Sequence, residues 1–312
     1  MSKVTVIGAG AVGATCADAI AQKDICKEVW LVDIKEGVAE GKALDMWETS
    51  PIHLFDTNIK GSTNDYAPTA GSDVIVITSG VPRRPGMSRD DLISINAKIV
   101  KEVTEKAIAA SPDAIIIVVA NPLDVMTYQA YKAAGIPSHK VMGMAGILDT
   151  ARYRSFLAME LNVSPKDIQA LLLGGHGDTM VPLPRYTTVS GIPVTDMIDA
   201  DKLEAIVNRT KKGGGEIVKL LGTSAWYAPG VAAAQMVEAI LLDQPRIFPV
   251  CSWLTGEYGI NDLYLGVPVK LGKGGIKEII ELDLNDDEKA MLDQSASAVR
   301  SVVDVLEGMD LG

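Results

Sequence analysis

The chain has 312 residues, more than one typical domain needs, and 47% of them are hydrophobic, as expected of a protein with a sizeable packed core. Its 40 acidic and 29 basic residues give a net charge of −11, and this field repels nucleic-acid phosphates and anionic membrane surfaces. The same field opposes a small anionic substrate, so a site for one must concentrate arginine or lysine locally.

Short apolar runs alternate with helix-like stretches through the first half of the chain. We predict strands at residues 4–7, 28–32, 74–78 and 115–119, and helices at residues 12–22, 38–47 and 92–110. Alternation of this kind is typical of an α/β doubly wound parallel sheet of the Rossmann type. We place this dinucleotide-binding domain at residues 1–145.

The pattern changes in the second half, residues 146–312, which we predict to be an α+β catalytic domain. Helices are expected at 148–161, 201–221 and 286–306, the last with Asn285 as its N-cap, and a strand at 168–173. Residues 247–253 and 263–271 are predicted to be antiparallel strands, followed by an apolar segment at 276–282. Three successive glycines, Gly213 to Gly215, indicate a bend or a close backbone approach. Because no linker composition separates the halves, we expect them to pack tightly.

Targeting, redox and metal signals are weak. The apolar run at 114–120 is far shorter than the roughly 20 residues of a membrane-spanning helix, and residues 4–8 lead into a glycine-rich turn rather than a leader cleavage site. We therefore expect a cytoplasmic protein. Cys16, Cys26 and Cys251 are odd in number and show no zinc spacing, so we expect reduced, packed thiols and no metal.

A glycine motif follows the first predicted strand and opens the first predicted helix. In it, Gly8 permits the tight turn, Gly10 lets the backbone approach a pyrophosphate, and Gly13 allows close helix packing. Alone the motif is weak, because ordinary turns and domains that bind S-adenosylmethionine also use such glycines.

Asp33 strengthens the case for a dinucleotide. It ends the second predicted strand, 20 residues beyond Gly13, where a carboxylate can accept hydrogen bonds from both ribose hydroxyls of the adenosine. The same carboxylate would repel a 2′-phosphate, so the predicted cofactor is NAD rather than NADP. Ile34 would lie against the adenine. The alternative is that Asp33 merely ends a strand.

His176 follows the predicted strand at 168–173 and should project from a loop beside the crevice. Imidazole, with an unperturbed pKa of about 6.5, can give and take the hydroxyl proton that accompanies hydride transfer. Asp149 could orient that ring, and Arg152, three residues later on the same helical face, could bind a substrate carboxylate with two hydrogen bonds. The alternative for Asp149 and Arg152 is an ordinary surface ion pair.

Three arginines lie in a polar loop with glycine and proline after the strand at 74–78. Arg83, Arg84 and Arg89 are close together in an otherwise acidic protein, which suits a lid that closes over an anion. A solvated basic loop is the alternative. Asn121 ends the next predicted strand and places an amide over the same crevice.

These motifs, taken in order, resemble malate dehydrogenases of the lactate dehydrogenase-like group over essentially the whole chain. They occupy residues 8–13, 83–89, 121–124, 148–152 and 175–178. The resemblance implies the following roles: His176 as acid/base, Asp149 as its orienting partner, Arg152 as carboxylate clamp, Arg89 as the lid residue that polarises the carbonyl, and Asn121 as a ligand of substrate and nicotinamide ribose. We also assign Ala11, Val12, Asn96 and Val119 to the cofactor site.

Substrate and assembly follow from the same resemblance. It implies a small dicarboxylate, malate or oxaloacetate, whose second carboxylate we assign to Arg83 because lactate has none. It also implies a homo-oligomer, a tetramer or alternatively a dimer, with Met46 and Trp47 either at an interface or in the core. The rival functions are a lactate dehydrogenase, a non-catalytic dinucleotide sensor and a methyltransferase. A sensor should have lost His176, Asp149 or Arg152, and methyl transfer has no need of this set.

Overall fold

The computed structural model describes residues 2–82 and 87–311; the predicted substrate ligand Arg83, like Arg84, lies outside the described residues. Within these, six strands of the first half run parallel, in the spatial order β6-β5-β4-β1-β2-β3. They are β1 (Lys3–Ile7), β2 (Glu28–Asp33), β3 (Asn58–Thr63), β4 (Val74–Ile77), β5 (Ile115–Val118) and β6 (Val141–Gly143).

The helices of the first half connect these strands. They are α1 (Ala11–Gln22), α2 (Val38–Glu48), α3 (Ser50–His53), α4 (Arg89–Ala110) and α5 (Leu123–Ala134). The predicted doubly wound sheet is thus confirmed, and each predicted strand or helix of this half is present within a few residues. Every residue of β4 and β5 is buried, which explains their continuous runs of valine and isoleucine. Strands β3 and β6 and helices α3 and α5 were not predicted.

The second half extends the same sheet. Its helices are α6 (Gly146–Leu161), α7 (Ala200–Leu221), α8 (Tyr227–Leu241) and α9 (Asp286–Glu307). Its strands are the short β7 (Ile168–Gln169), β8 (Leu172–Leu173), β9 (Val181–Pro182), β10 (Thr188–Val189) and β11 (Ile192–Pro193), and the longer β12 (Arg246–Thr255), β13 (Asn261–Gly272) and β14 (Gly275–Ile279).

The two halves pack tightly, as predicted. Cys251 of β12 pairs with Gly143 of β6, so β12, β13 and β14 continue the parallel strands and give one sheet of nine strands in the described part of the chain. On one face, α8 lies against α1 so closely that a Cβ added to Gly230 would stand 2.8 Å from Thr15 Cβ. The predicted antiparallel pairing of β12 with β13 is confirmed.

Two predictions in the second half need correction. The single strand expected at 168–173 is wrong, because β7 pairs with β10 whereas β8 pairs with β9 in a separate small sheet. The triple glycine does not break the helix, since α7 runs without interruption from Ala200 to Leu221. The alternative, a close approach, is present: a Cβ on Gly213 would lie 3.2 Å from Arg152 Cδ. The predicted N-cap is confirmed, because Asn285 and Glu288 form a reciprocal capping box.

Candidate active site

The carboxyl ends of the parallel strands form one edge of the sheet, and two cavities lie along it. The chain leaves β1 and β4, which are neighbours at the centre of the six parallel strands, in opposite directions, and this reversal opens a crevice between the loops that follow them. One cavity, of about 310 Å³, lies beside β1, β2 and β4. The other, of about 230 Å³, lies beside β5 and β6 and reaches α7.

The glycine loop forms a wall of the first cavity. Gly8 has φ of +103°, where a side chain would also strike Thr78, and a Cβ on Gly13 would lie 1.8 Å from the Gly8 carbonyl oxygen. Gly10 has open space around it and is exposed. Helix α1 begins at Ala11 with no side-chain cap, so the amide groups of its first turn are available to an anion. The loop therefore fits a pyrophosphate.

Asp33 and Ile34 line the same cavity at the end of β2. The Asp33 carboxylate accepts the Ala9 N–H at 2.6 Å and the Lys35 N–H at 2.9 Å, which holds it beside the glycine loop. Each of its oxygens can accept a further bond, as two ribose hydroxyls would require. Ile34 is 80% exposed, an unusual position for a large apolar side chain unless a ligand covers it. Both placements agree with the predicted adenosine site.

His176, Asp149 and Arg152 meet beside the second cavity. The Asp149 carboxylate is buried on α6 and accepts from both partners: Oδ2 lies 2.8 Å from His176 Nδ1, and Oδ1 lies 3.2 Å from Arg152 Nη1. Both His176 and Arg152 line the cavity, and the Nε of Arg152 is buried with no hydrogen-bond partner in the described part of the chain. The arginine thus retains donors for an anion that enters the cavity.

The surroundings of His176 raise its pKa above the ordinary value of 6.5. Burial by itself lowers the pKa, but the charge and hydrogen bond of Asp149, followed by the charge of Asp124, outweigh it, while Arg152 opposes them. Because Nδ1 faces a carboxylate, it carries the proton of the neutral ring, and Nε2 is left to exchange a proton with a ligand. This is the arrangement that an acid/base histidine needs.

Asn121, Val12 and Val119 also line the second cavity, while the cofactor contacts assigned to all three, and the substrate contact assigned to Asn121, stay predictions. Asn96 is different. It is 1% exposed, and its side chain bonds the backbone of Val81 in both directions and donates to the Asn121 carbonyl at 2.7 Å. It therefore supports the loop that carries Asn121, and a direct cofactor contact by its amide stays a prediction.

One of the predicted arginines, Arg89, is not part of this cluster. Arg89 is the first residue of α4, is exposed, and lines neither cavity. Its role at the substrate carbonyl stays a prediction. Arg83 is outside the described residues. Ala11 is exposed at the start of α1, where its contact with a cofactor would be through the backbone.

Several residues at the site were missed by sequence reasoning. Ser224, Ala225 and Pro229, in and after the turn between α7 and α8, line the catalytic cavity. Asp124 accepts the backbone N–H of His176 at 2.9 Å. Ser224, Ala225 and Pro229 carry no local signal, but an acidic residue in the first turn of a mostly buried helix could have singled out Asp124.

Residues 2–82 and 87–311 contain neither a candidate membrane-spanning helix nor a candidate cluster of metal ligands. No helix there is long and apolar enough to cross a bilayer. No group of three or more histidine, cysteine, aspartate or glutamate residues in that part of the chain could hold a metal ion. The fold and the site together define a two-part α/β protein with a nucleotide-sized cavity next to a histidine paired with a carboxylate.

Comparison with known proteins identifies the class to which this arrangement belongs. Residues 2–143 match the family model for the NAD binding domain of lactate/malate dehydrogenases, and residues 147–307 match the model for their alpha/beta C-terminal domain. The chain therefore belongs to the lactate/malate dehydrogenase family, and the predicted NAD cofactor is confirmed.

Individual relatives are similar over nearly their whole length. Malate dehydrogenase of Cytophaga hutchinsonii is 66% identical, with 98% of each chain covered. The solved malate dehydrogenase of Salinibacter ruber has a TM-score of 0.94 at 62% identity, covering 98% of this chain and 97% of that one. The lactate dehydrogenase of Cryptosporidium parvum, complexed with lactic acid and cofactor, has a TM-score of 0.95 at 36% identity, with 99% of each chain covered. The backbone alone therefore does not separate the two activities.

Proposed function

We propose that the chain is an NAD-dependent malate dehydrogenase that interconverts (S)-malate and oxaloacetate. The observation that carries this proposal is the cluster in which Asp149 bonds both His176 and Arg152 beside one cavity. The cluster holds a proton carrier, His176, and a group that can bind a carboxylate, Arg152, on the two oxygens of one aspartate. The relatives at 54–66% identity that are named malate dehydrogenase support malate over lactate.

The chain positions the reactants through residues of both cavities. Bound NAD supplies or accepts the hydride. The residues that would hold it are Gly8, Gly10 and Gly13 at the pyrophosphate and Asp33 at the adenosine ribose, with Asn121 at the nicotinamide end. Arg152 would bind the carboxylate next to the reacting carbon, because its guanidinium retains free donors inside the cavity.

His176 carries the proton in both directions. When malate is oxidised, neutral His176 accepts the hydroxyl proton at Nε2, and Asp149 stabilises the resulting imidazolium through Nδ1. When oxaloacetate is reduced, the protonated ring returns the proton. Arg89, brought over the site by closure of the preceding loop, would polarise the carbonyl, and Arg83 would pair with the second carboxylate of the substrate.

The decisive experiment compares oxaloacetate and pyruvate as substrates for NADH oxidation. We expect kcat/KM for oxaloacetate to exceed that for pyruvate by at least about 100-fold. The reason is that a cation in the site would pair with the second carboxylate of oxaloacetate, whereas pyruvate would leave that cation unpaired. A preference for pyruvate would indicate a lactate dehydrogenase. NADH binding without turnover of either acid would indicate a sensor. As a control, His176→Asn should keep NADH binding and lower kcat by about 100-fold or more.

Domain boundary, location and assembly complete the proposal. We infer that residues 1–145 bind the cofactor, and that the enzyme is a cytoplasmic homotetramer, with a dimer as the alternative, acting in the tricarboxylic acid cycle.

Met46 and Trp47 pack against the core, Trp47 with its ring 6.4 Å from that of Phe55. Large apolar side chains exposed nearby support an interface, namely Leu44, Ile52 and Leu54. Light scattering coupled to gel filtration measures the number of subunits.

A further inference from the structure

The loop that carries His176 is fixed by three consecutive backbone amides, each of which donates to a different element. The acceptors are the Gly266 carbonyl on β13 for Gly174 N–H at 2.8 Å, Ser295 Oγ on α9 for Gly175 N–H at 2.8 Å, and Asp124 Oδ2 on α5 for His176 N–H at 2.9 Å. Only the last of the three acceptors is ionisable. It is also the one that holds the acid/base residue itself.

Asp124 occupies a costly position for a carboxylate. It is 6% exposed, and its Oδ1 is buried with no hydrogen-bond partner at ordinary distances in the described part of the chain, although the thiol of Cys251, a weak donor, lies beside the carboxylate and acts to lower its pKa. A buried carboxylate with so few donors is strongly disfavoured, whereas a neutral side chain could accept the same N–H at lower cost. The negative charge is therefore expected to benefit a neighbouring group. The group that gains positive charge during the proposed reaction is His176.

We propose that Asp124 is a second positioning residue for His176: it holds the backbone of the catalytic loop at the His176 N–H and adds a second negative charge to that of Asp149 near the imidazole. This inference rests on the proposed function, which gives His176 its role as acid/base. Asp124 also links the parts of the site, because α5 begins directly after Asn121 and Pro122. Helix α5 thus fixes Asn121 at its start and the His176 loop through its first turn.

The charges around His176 support this role. Asp149 and Arg152 approach from α6 and Asp124 from α5, and the two carboxylates raise the pKa of His176 against the effects of burial and Arg152. Burial raises the pKa of Asp124 itself, while its contact with His176 opposes that rise. On β12, burial and the neighbouring Asp124 keep the pKa of the Cys251 thiol well above 9, so this neighbour remains neutral.

The test separates the charge of Asp124 from its hydrogen bond. Asp124→Asn keeps an acceptor for the His176 N–H and removes the charge, whereas Asp124→Ala removes both. Thr127→Val is the matched control, since Thr127 lies one turn further along α5 and its hydroxyl bonds the Leu123 carbonyl at 2.8 Å. NMR of protein labelled with ¹³C-histidine measures the pKa of each imidazole directly, and His53 and His139 serve as internal references.

We expect Asp124→Asn to lower the pKa of His176 by about 0.5 unit or more, because one of two nearby negative charges is lost. The midpoint of the pH profile of kcat/KM for oxaloacetate should fall with it. Asp124→Ala should lower kcat about 10-fold or more by leaving a buried N–H unpaired, with NADH affinity changed less than about twofold. Thr127→Val should match the parent in the His176 pKa and in kcat.

An unchanged His176 pKa in Asp124→Asn overturns the proposal, and so does a parent-like kcat in Asp124→Ala. If Asp124→Ala does not fold, the His176 pKa measured in Asp124→Asn tests the proposal without it. Because the NMR titration needs no substrate, a parent that binds NADH but does not reduce oxaloacetate would refute the proposed function while leaving the coupling between Asp124 and His176 measurable.

Discussion

The side chain of Arg152 lies against the backbone of Gly213. A Cβ at position 213 would stand 3.2 Å from Arg152 Cδ and 3.8 Å from its Nε, and a Cβ at Gly214 would stand 3.8 Å from Nη2. The glycines of α7 thus leave room for the guanidinium of the substrate clamp. They cost some helix stability, since glycine is a poor helix former.

Gly213→Ala should therefore displace Arg152 by a few tenths of an ångström. We expect kcat/KM for oxaloacetate to fall about 10-fold, because small misplacements at a catalytic site are costly, while NADH affinity stays at the parent value. Gly215→Ala is the control, since nothing lies within 4 Å of its Cβ position. It should raise thermal stability without loss of activity. Equal activity of both variants would show that Arg152 tolerates the extra methyl group.

The two directions of the reaction should depend on pH in opposite ways. Reduction of oxaloacetate needs protonated His176, so its kcat/KM should fall as the pH rises through the His176 pKa, which lies above 6.5. Oxidation of malate needs the neutral ring and should rise through the same pKa. In Asp149→Asn both midpoints should move to lower pH, and kcat should drop by a factor of about 10² to 10⁴. Unmoved midpoints would show that another group is titrating.

Asp33 should determine coenzyme choice. Its carboxylate, held by the N–H groups of Ala9 and Lys35, would lie beside a 2′-phosphate and repel it. Asp33→Ser should lower the preference for NADH over NADPH, as the ratio of kcat/KM values, by about tenfold or more. Glu36→Ser removes an equal charge from an exposed residue outside the cavity and should leave the ratio unchanged. A parent enzyme that uses both coenzymes equally would refute the assignment.

Arg83 should select the dicarboxylate. Once the loop closes, the second carboxylate of oxaloacetate leaves water and needs a cation, whereas the methyl group of pyruvate would leave that cation unpaired. In Arg83→Gln the ratio of kcat/KM for oxaloacetate to that for pyruvate should fall by about two orders of magnitude, mostly through lost oxaloacetate activity. Arg84→Gln, the adjacent control, should retain the ratio. If the two variants behave in the reverse way, Arg84 carries the selectivity.

The capping box of α9 should contribute to stability. Asn285 Oδ1 accepts the Glu288 N–H at 2.9 Å, and Glu288 Oε2 accepts both the Asn285 N–H and a guanidinium hydrogen of Arg185. Asn285→Ala should lower the free energy of unfolding by about 1 kcal/mol, as measured by urea titration. Asn285→Asp keeps an N-cap acceptor and should remain close to the parent. A fully stable alanine variant would show that other contacts hold the end of α9.

Much of the parallel half could be predicted, because its signals are local. The buried runs of β4 and β5, the glycine loop after β1 and the position of Asp33 at the end of β2 are all patterns within a few residues. The prediction of one strand at 168–173 was wrong for the same reason. The apolar residues of this segment form a local pattern typical of a single strand, but β7 pairs with β10 and β8 pairs with β9. Partner choice depends on distant residues, and a single sequence does not reveal it.

The sequence by itself determined the class of fold and the family, and it predicted the pairing of His176 with Asp149, since these depend on residue types at fixed spacings along the chain. Only the tertiary structure decided how the site is held. Asp149 is 27 residues from His176, and Asp124 is 52 residues away, yet both contact it. Arg152 and Gly213 meet because α6 and α7 pack together. Such contacts result from helix packing and sheet order, which bring distant residues together, whereas sequence periodicity describes only neighbours along one element.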